Sequence, residues 1–196
     1  HVLEAKIEDL GAGFGYTLPK DKFRQPYIAR QVRVTIPIHL APLSWASFQL
    51  VEGVAEHSDG IFQNGVIDTP FVTLSVDEGI TVYDKTTNEA YEDFIQFEDR
   101  GDIGNEYIYF QPKGTEPIFA QLKGYEVLEN NARYAKVLLK HDLTIPVSAD
   151  EKLDAEQRGI IEFMKRDAGR SEELTTIPLE TEMTVFVDNP QIRFKT

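Results

Sequence analysis

The 196-residue sequence contains no cysteine, which excludes disulfides and thiolate metal sites. A cysteine-free composition is typical of a cytoplasmic protein, and we expect that localisation, although a secreted bacterial domain without cysteine would look the same. No apolar run approaches the roughly 20 residues that a membrane helix needs. The first residues also lack the basic stretch and apolar run of a signal peptide.

Basic residues are scarce as well. The 20 Lys and Arg face 33 Asp and Glu, which gives a formal net charge of -13. Such a surface repels phosphate backbones and anionic lipids, so we expect neither nucleic acid nor a membrane as a partner. Because 41% of the residues are hydrophobic, the chain can still bury a core, which argues against disorder.

The usual nucleophile and phosphate-binding motifs are missing. There is no Gly-x-Ser-x-Gly elbow, no P-loop and no Gly-x-Gly-x-x-Gly opening a helix. The sequence has four His; His57-Ser58-Asp59 has the His-x-Asp spacing of some metal sites, but no second His lies nearby in sequence. We interpret it as a surface turn, and His141 as a structural residue at a strand end. These motifs assign no metal ligand and no catalytic residue, and the many acids give no way to choose a catalytic carboxylate pair.

Apolar residues recur with a period of two. Residues 31–36, 71–76 and 179–187 alternate apolar and polar side chains, as half-buried strands do in antiparallel sheets with one dry face. Asp77-Glu78-Gly79 and Asp84–Asn88 read as hairpin turns. The pattern predicts a mostly β chain with an antiparallel β-sandwich. Further strands are predicted at residues 46–50, 80–83, 94–97, 107–110, 118–122, 135–139 and 191–195.

One helix is predicted. Ser148-Ala149-Asp150-Glu151 has the pattern of a capping box, in which the Ser and Glu side chains each satisfy a free backbone N–H. Leu153, Ile160, Ile161 and Met164 then share one stripe at helical spacing, which we interpret as packing against a sheet. Gly169 is the predicted stop.

The segment Glu98–Tyr109 is dense in polar and aromatic residues, with four acids, one Arg, two Gly and two Tyr. Carboxylates accept hydrogen bonds from sugar hydroxyls, Tyr rings offer a flat apolar face to a pyranose, and Gly lets a ligand approach the backbone. By composition alone, a solvated turn with a local ion pair is the plainer interpretation. Calcium would find oxygen ligands at Asp99, Asp102, Asn105 and Glu106, but the spacing does not match an EF-hand.

Several stretches resemble bacterial α-mannosidases of glycoside hydrolase family 38, in the order that the family shows. Residues 97–107 are the most specific match, with Asn105 where Asp is usual. Asn88 stands where the family has Gly in Asp-Lys-x-Thr-Gly, and Asn tolerates a left-handed backbone nearly as well. The other matching stretches are residues 14–19, 23–24, 29–34, 43–48, 67–91, the helix with residues 170–173, and residues 192–196.

The resemblance implies a small β domain over residues 1–62, then the start of a large β-sandwich over residues 63–196, part of a galactose-mutarotase-like supersandwich. It implies a retaining glycosidase whose zinc is bound by two His and two Asp of an amino-terminal domain. His57-Ser58-Asp59 continues to Gly60-Ile61, where one of the family's zinc motifs has Ala-Trp, and His141-Asp142 follows Lys140, where the other motif has a second His. We therefore expect zinc in the parent enzyme, no cofactor in this chain, and no activity of the chain alone.

The resemblance also implies the partners, which are the amino-terminal catalytic domain of the same protein and an α-mannoside. Whether the parent forms a homodimer stays open. The chain lacks a starting Met and stops within a strand-like run, so we expect it to be part of a longer protein. The residues expected to contact sugar are Asp99, Arg100, Asp102, Glu106, Tyr107 and Tyr109, with Asp102 and Tyr107 as the first choices.

Two alternatives remain open at this stage. An autonomous carbohydrate-binding module would need an exposed aromatic platform, whereas the single Trp, Trp45, sits among apolar neighbours in a predicted strand. A mutarotase-like enzyme would need a general acid and base in a groove, for which His39 and His141 are available. The sequence also leaves open whether the substrate is a mannan oligosaccharide or mannosylglycerate, because mannosylglycerate hydrolases share the family.

Overall fold

The computed structural model describes residues 5–36, 38–49, 51, 59–77 and 79–196. It divides into two compact units, His1–His57 and Ser58–Thr196, which are described separately. The described residues form antiparallel β-strands and one short α-helix, so the mostly β prediction is confirmed. No helix in this part of the chain is long and apolar enough to cross a membrane. The predicted domain bounds at residues 62 and 63 stay a prediction.

The first unit contains one long hairpin. Strand β1 (Lys6–Thr17) pairs with β2 (Gln25–Thr35), and a β-bulge interrupts the register between Asp9 and Gly11. The strand predicted from residue 31 falls within β2, but its half-buried character is wrong, because every β2 side chain is exposed. The strand predicted at residues 46–50 is also wrong at residues 46–49, and residue 50 lies outside the described residues.

The second unit contains two larger sheets. One is a five-stranded meander in the order β3-β4-β5-β6-β7, and the other has four strands in the order β10-β11-β12-β13. A small sheet pairs β8 with β9. The strands are β3 Phe62–Gln63, β4 Val66–Asp68, β5 Val72–Val76, β6 Ile80–Asp84, β7 Glu89–Tyr91, β8 Glu98–Asp99, β9 Ile118–Phe119, β10 Gln121–Asn130, β11 Tyr134–Pro146, β12 Leu174–Phe186 and β13 Ile192–Lys195.

The core of the second unit lies between its two larger sheets. Alternate residues of β5 and β6 are buried against alternate residues of β11 and β12, as the period of two in these segments predicts. The predicted sandwich is thereby confirmed. Each fully buried aliphatic side chain contributes about 1.5–3 kcal/mol. The cluster comprises Phe62, Ile67, Val72, Leu74, Val76, Ile80, Val82, Ala135, Val137, Leu139, Met183 and Val185.

The strands flanking both predicted hairpin turns are paired as expected, and Glu78 of the first turn lies outside the described residues. The N–H of Asp77 donates to the carbonyl of Gly79 at 3.1 Å between β5 and β6. Between β6 and β7, Asp84 Oδ1 accepts from the N–H of Thr86 at 2.7 Å. Asn88 has a φ of 59°, so it adopts the left-handed conformation expected of the residue that replaces Gly.

Two of the strands predicted in the second unit are absent. Residues 94–97 and 107–110 are irregular, while the other predicted strands fall in β6, β9 with the start of β10, β11 and β13. Near residue 107 the amide of Asn105 holds backbone N–H groups that a ladder would use, which is how Asn and Asp side chains compete with strands.

The helix is shorter than predicted. Helix α1 spans Lys152–Arg158, and its N-cap residue Glu151 makes no capping hydrogen bond, although Asp150 Oδ1 accepts from the N–H of Lys152 at 3.0 Å. The capping box is wrong, because the hydroxyl of Ser148 donates to the carbonyl of Ala149 instead. The stop at Gly169 and the packed stripe are wrong too: the helix ends at residue 158 and a separate 3₁₀ turn follows at Phe163–Lys165. In that stripe, Ile160 is 89% exposed with a φ of 52°, and Met164 is 85% exposed.

Candidate functional site

The polar segment of the sequence forms one closed loop, residues 98–110, which leaves the small sheet at β8. Two side chains close it. Asp102 Oδ1 accepts from the N–H groups of Gly104 at 2.7 Å and Phe110 at 3.0 Å. Asn105 Oδ1 accepts from the N–H groups of Tyr107 at 2.9 Å and Ile108 at 3.0 Å. Each of these two side chains therefore accepts from two backbone N–H groups and closes the loop from within, as Asp and Asn side chains do in Asx turns.

Backbone bonds and a glycine tighten the same loop. Ile103 N–H donates to the Phe110 carbonyl at 2.8 Å, and Asn105 N–H donates to the Ile108 carbonyl at 3.0 Å. A Cβ atom at Gly104 would lie 1.7 Å from the carbonyl oxygen of Ile108, so only Gly fits at this position. This close approach explains why the segment carries glycine where the sequence suggested access for a ligand.

The base of the loop is anchored in the second unit. Ile103 is only 3% exposed, and its carbonyl accepts from Arg166 Nη1 at 2.8 Å. Asp99 forms an ion pair with Arg170, whose side chain is 11% exposed. The anchors thus lie more than sixty residues along the chain from the loop they hold.

Hydrogen bonds shift the pKa values of Asp102 and Arg100 in opposite directions. The hydrogen bonds from the N–H groups of Phe110 and Gly104 lower the pKa of Asp102, because they favour the carboxylate. A hydrogen bond to Glu98 raises the pKa of Arg100, and the nearby Tyr109 adds to this shift. The local ion pair of Arg100 with Glu98, 3.0 Å between Nε and Oε1, was anticipated by the sequence.

The structure brings the six predicted residues together in this loop, in two roles. Asp99 is engaged with Arg170, Arg100 with Glu98, and one oxygen of Asp102 with backbone amides. The other three are presented to solvent: Glu106 is exposed, Tyr107 is 86% exposed and Tyr109 is 58% exposed. Exposed rings on a closed loop can contact the apolar face of a sugar, while the loop's own polar atoms hold its shape.

A polar cleft of about 530 Å³ adjoins the loop through Arg170. Its walls carry charges of both signs, several of them already paired within the cleft. Lys113 pairs with Asp167, and Asp150 accepts from the N–H groups of Lys152 and Gly169. Sequence reasoning missed Arg170 and Lys113 as members of this region, because only the fold brings residues so far apart in sequence together.

No group of three His, Asp or Glu side chains suited to a metal ion occurs among the described residues. His141 lies mid-strand in β11, not at a strand end as predicted, and is 5% exposed on the core face. Burial lowers its pKa, and its ring centroid lies 5.4 Å from that of Phe97. His39 is exposed and belongs to the other unit, and His57 lies outside the described residues. Trp45 lies outside any strand and is 85% exposed.

Comparison with known proteins decides the relationship. The model of the family described as "Glycosyl hydrolases family 38 C-terminal domain 1" matches residues 1–52. The crystal structure of an α-mannosidase from Enterococcus faecalis V583 superposes with a TM-score of 0.74 at 31% identity, over 99% of this chain and 24% of that protein. Residues 1–52 thus match the carboxy-terminal domain of glycosyl hydrolase family 38, and the chain as a whole is related to a bacterial α-mannosidase. The resemblance seen in the sequence is confirmed.

Two further relatives agree with this family 38 assignment. A protein of Halalkalibacterium halodurans named "Putative mannosylglycerate hydrolase" is 32% identical over 92% of this chain and 21% of its own length. A second E. faecalis structure, of a protein in glycosyl hydrolase family 38, has a TM-score of 0.74 at 27% identity over 99% of this chain and 25% of its own. The chain thus spans only about a fifth to a quarter of the length of these relatives.

Proposed function

We propose that this family 38 chain is a supporting β region of an α-mannosidase-type hydrolase whose catalytic domain lies outside residues 1–196. The observation that carries the proposal is its likeness, over 99% of its length, to about a quarter of an α-mannosidase. In this proposal the amino-terminal catalytic domain of the same cytoplasmic protein is the partner, and the chain alone is inactive. The substrate is an α-mannoside, either a mannan oligosaccharide or mannosylglycerate.

Zinc belongs to the rest of the protein in this proposal. Bound there, it would hold sugar hydroxyls and favour the distorted ring of an oxocarbenium-like transition state. The described residues of this chain do not fit a zinc site, since no three suitable donors lie together and the buried His141 lies on the hydrophobic core face of its strand. Their contribution is to build and position surface beside the substrate.

The loop of residues 98–110 is the surface that we assign to substrate. Tyr107 and Tyr109 are exposed aromatic rings on a loop whose backbone is fixed by Asp102 and Asn105. Because the backbone that carries these rings is already fixed, covering a pyranose face costs less ordering than it would on a mobile loop. In this arrangement Asp102 is a positioning residue through its bonded oxygen, and the two Tyr are the contacts.

The first experiment measures zinc content and p-nitrophenyl α-mannoside turnover, on residues 1–196 and on the longer polypeptide that contains them. We expect the short chain to be inert and free of zinc, and the longer polypeptide to carry zinc and cleave the substrate. Turnover or stoichiometric zinc in the short chain would mean that the active site had been misplaced.

The second experiment tests the loop in the longer polypeptide. Replacing Tyr107 with Ala should raise KM for an α-mannoside roughly fivefold, the equivalent of about 1 kcal/mol of ring contact. Tyr107→Phe is the matched control, because it keeps the ring and should leave KM close to that of the wild type if the ring face makes the contact. An unchanged KM in both Tyr107→Ala and Tyr109→Ala would remove the loop from the substrate site.

A further inference from the structure

The hairpin of β1 and β2 has two chemically different faces. The register pairs Ile7 with Val34, Phe14 with Ile28 and Tyr16 with Pro26, and cross-strand partners lie on the same side. The bulge between Asp9 and Gly11 shifts the alternation of β1 by one residue, which returns Phe14 to the face that carries Ile7. We define the apolar face by Ile7, Phe14, Tyr16, Ile28, Val32 and Val34.

The opposite face is polar, and several of its side chains contact one another within the hairpin. Glu8 lies 3.7 Å from Lys6 Nζ and 3.8 Å from an Arg33 nitrogen. The side chains of Gln31 and Tyr27 lie across glycines, at the places where Cβ atoms of Gly13 and Gly15 would stand. We call this the polar face. Its side chains pack on the hairpin itself, so it needs no further cover.

The apolar face is bare. Ile28 is 76% exposed, Phe14 and Ile7 are each 61% exposed, and Val32 and Val34 are 45% and 40% exposed. A two-stranded hairpin is marginally stable in water at best, and contiguous exposed apolar residues of this kind mark an interaction site. The amphipathic pattern therefore predicts that another apolar surface covers this face in the working protein.

Among the described residues, two arginines meet the apolar face: the Arg24 guanidinium lies over the Tyr16 ring at 4.5 Å, and Arg30 forms an ion pair that is compatible with such cover. Arg30 lies between the two apolar ends of the face, and its Nη2 is 2.6 Å from Asp9 Oδ2, with Nε at 3.1 Å. Both bonds of the guanidinium go to one carboxylate oxygen. Covering the face would therefore bury a paired charge, which costs much less than burying a lone one.

We propose that the apolar face is an intramolecular docking surface, covered by polypeptide of the same protein outside residues 1–196. The inference rests on the part of the proposed function that makes this chain a supporting region of a longer hydrolase. The relatives that it matches are four to five times its length, since it spans 21–25% of each, so most of the protein is available as the occupant. The surface that docks is aliphatic and aromatic, because it must match Ile7, Phe14 and Ile28.

Hydroxyl-radical footprinting of the longer polypeptide tests this docking with an internal control. Tyr16 lies on the apolar face and is 47% exposed, whereas Tyr27 lies on the polar face and is 46% exposed. The two rings share one chemistry and one exposure in the bare hairpin, so they should then be labelled at equal rates. Docking predicts that Tyr16 is labelled several-fold more slowly than Tyr27, at every protein concentration.

Three results would overturn the proposal. Equal labelling of the two Tyr, whether fast or slow, would mean that the apolar face is not selectively covered. Faster labelling of Tyr16 would place the contact on the other face. Protection of Tyr16 that disappears on dilution would assign the face to a second copy of the protein. Turnover of α-mannoside by the same sample is read separately, so a failed docking and a failed hydrolase assignment can be told apart.

A pair of variants in the longer polypeptide gives a second readout. Ile28→Asp places a charge on the apolar face, and Ala29→Asp places the same charge on the neighbouring position of the polar face. We expect Ile28→Asp to lower the melting temperature and to restore Tyr16 labelling towards that of Tyr27, while Ala29→Asp does neither. Equal effects of the two variants would contradict the docking. If Ile28→Asp fails to fold, the footprint of the unmodified protein still decides.

Discussion

Replacing Asp102 with Ala should loosen the loop of residues 98–110, whereas replacing it with Asn should leave the loop closed. One oxygen of Asp102 holds the N–H groups of Gly104 and Phe110, which stand on opposite sides of the loop. Ala removes this acceptor. Asn keeps a carbonyl oxygen in the same place and removes only the negative charge. The two variants therefore separate the shape that Asp102 provides from its charge.

The expected magnitude follows from the two hydrogen bonds. A hydrogen bond contributes about 0.5–1.5 kcal/mol net, and since Asp102 is exposed we take the lower half, so that the pair is worth about 1–2 kcal/mol. Because 1.4 kcal/mol is a factor of about ten, Asp102→Ala should raise the population of open loop roughly tenfold. Global unfolding should change less, because Ile103 and Arg170 anchor the base independently.

Amide hydrogen exchange measures this directly. In Asp102→Ala we expect the N–H groups of Gly104 and Phe110 to exchange roughly tenfold faster, and in Asp102→Asn to stay within a factor of about two to three. In the wild type, the Asp102 carboxylate stabilises the closed loop fully above the ordinary carboxyl pKa of 3.8. This stabilisation is lost as the pH falls through the lowered pKa of Asp102 in the folded state.

Kinetics of the longer polypeptide decide between shape and contact. If Asp102 only positions the loop, Asp102→Asn keeps wild-type KM while Asp102→Ala raises it. A KM raised equally by both variants would refute this reasoning and favour direct contact between the carboxylate and the sugar. Unchanged exchange in Asp102→Ala would show that Asp102 does not close the loop, whatever the kinetics.

Three further predictions concern the framework of the second unit and are measured by urea unfolding. Met183 is fully buried, so Met183→Ala should cost about 2–5 kcal/mol, whereas Met164, 85% exposed, should tolerate Ala within about 0.5 kcal/mol. Arg170→Ala leaves a largely buried carboxylate without its partner and should cost about 3 kcal/mol, whereas Lys113→Ala breaks an exposed, solvent-screened pair and should leave the stability close to that of the wild type. Burial lowers the pKa of His141 below its ordinary 6.5, so stability should fall as the pH drops below that value, and His141→Leu should remove this fall.

The sandwich could be predicted from the sequence because its signal is local. In β5 and β12 the side chains alternate between core and surface, and this period of two is written in consecutive residues. Asn88 is a second example, since its left-handed φ follows from the turn pattern around it. A structural feature that depends only on local backbone geometry can therefore be predicted from consecutive residues.

The errors have physical causes of two kinds. The stripe from Leu153 to Met164 has helical spacing, but the helix ends at residue 158, and Ile160 takes a left-handed φ of 52°. Alternation in residues 31–35 of β2 is as regular as in β5, yet every β2 side chain is exposed, so burial does not follow from the period. Periodicity predicts which residues share a face, and only tertiary structure decides whether that face is covered.

In the candidate site too, the sequence predicted a local contact but not the contacts between residues far apart in the chain. Composition favoured a solvated turn with a local ion pair, and that pair exists between Arg100 and Glu98. A turn of that kind needs neither the Arg170 anchor nor a Gly104 so close to the Ile108 carbonyl that no side chain fits. These features restrict the loop while Tyr107 stays 86% exposed. The apolar surface of its ring remains in water and contributes nothing to folding. The free-energy cost of an exposed ring on a fixed loop is offset only if another molecule covers the ring. We therefore propose that substrate binds there.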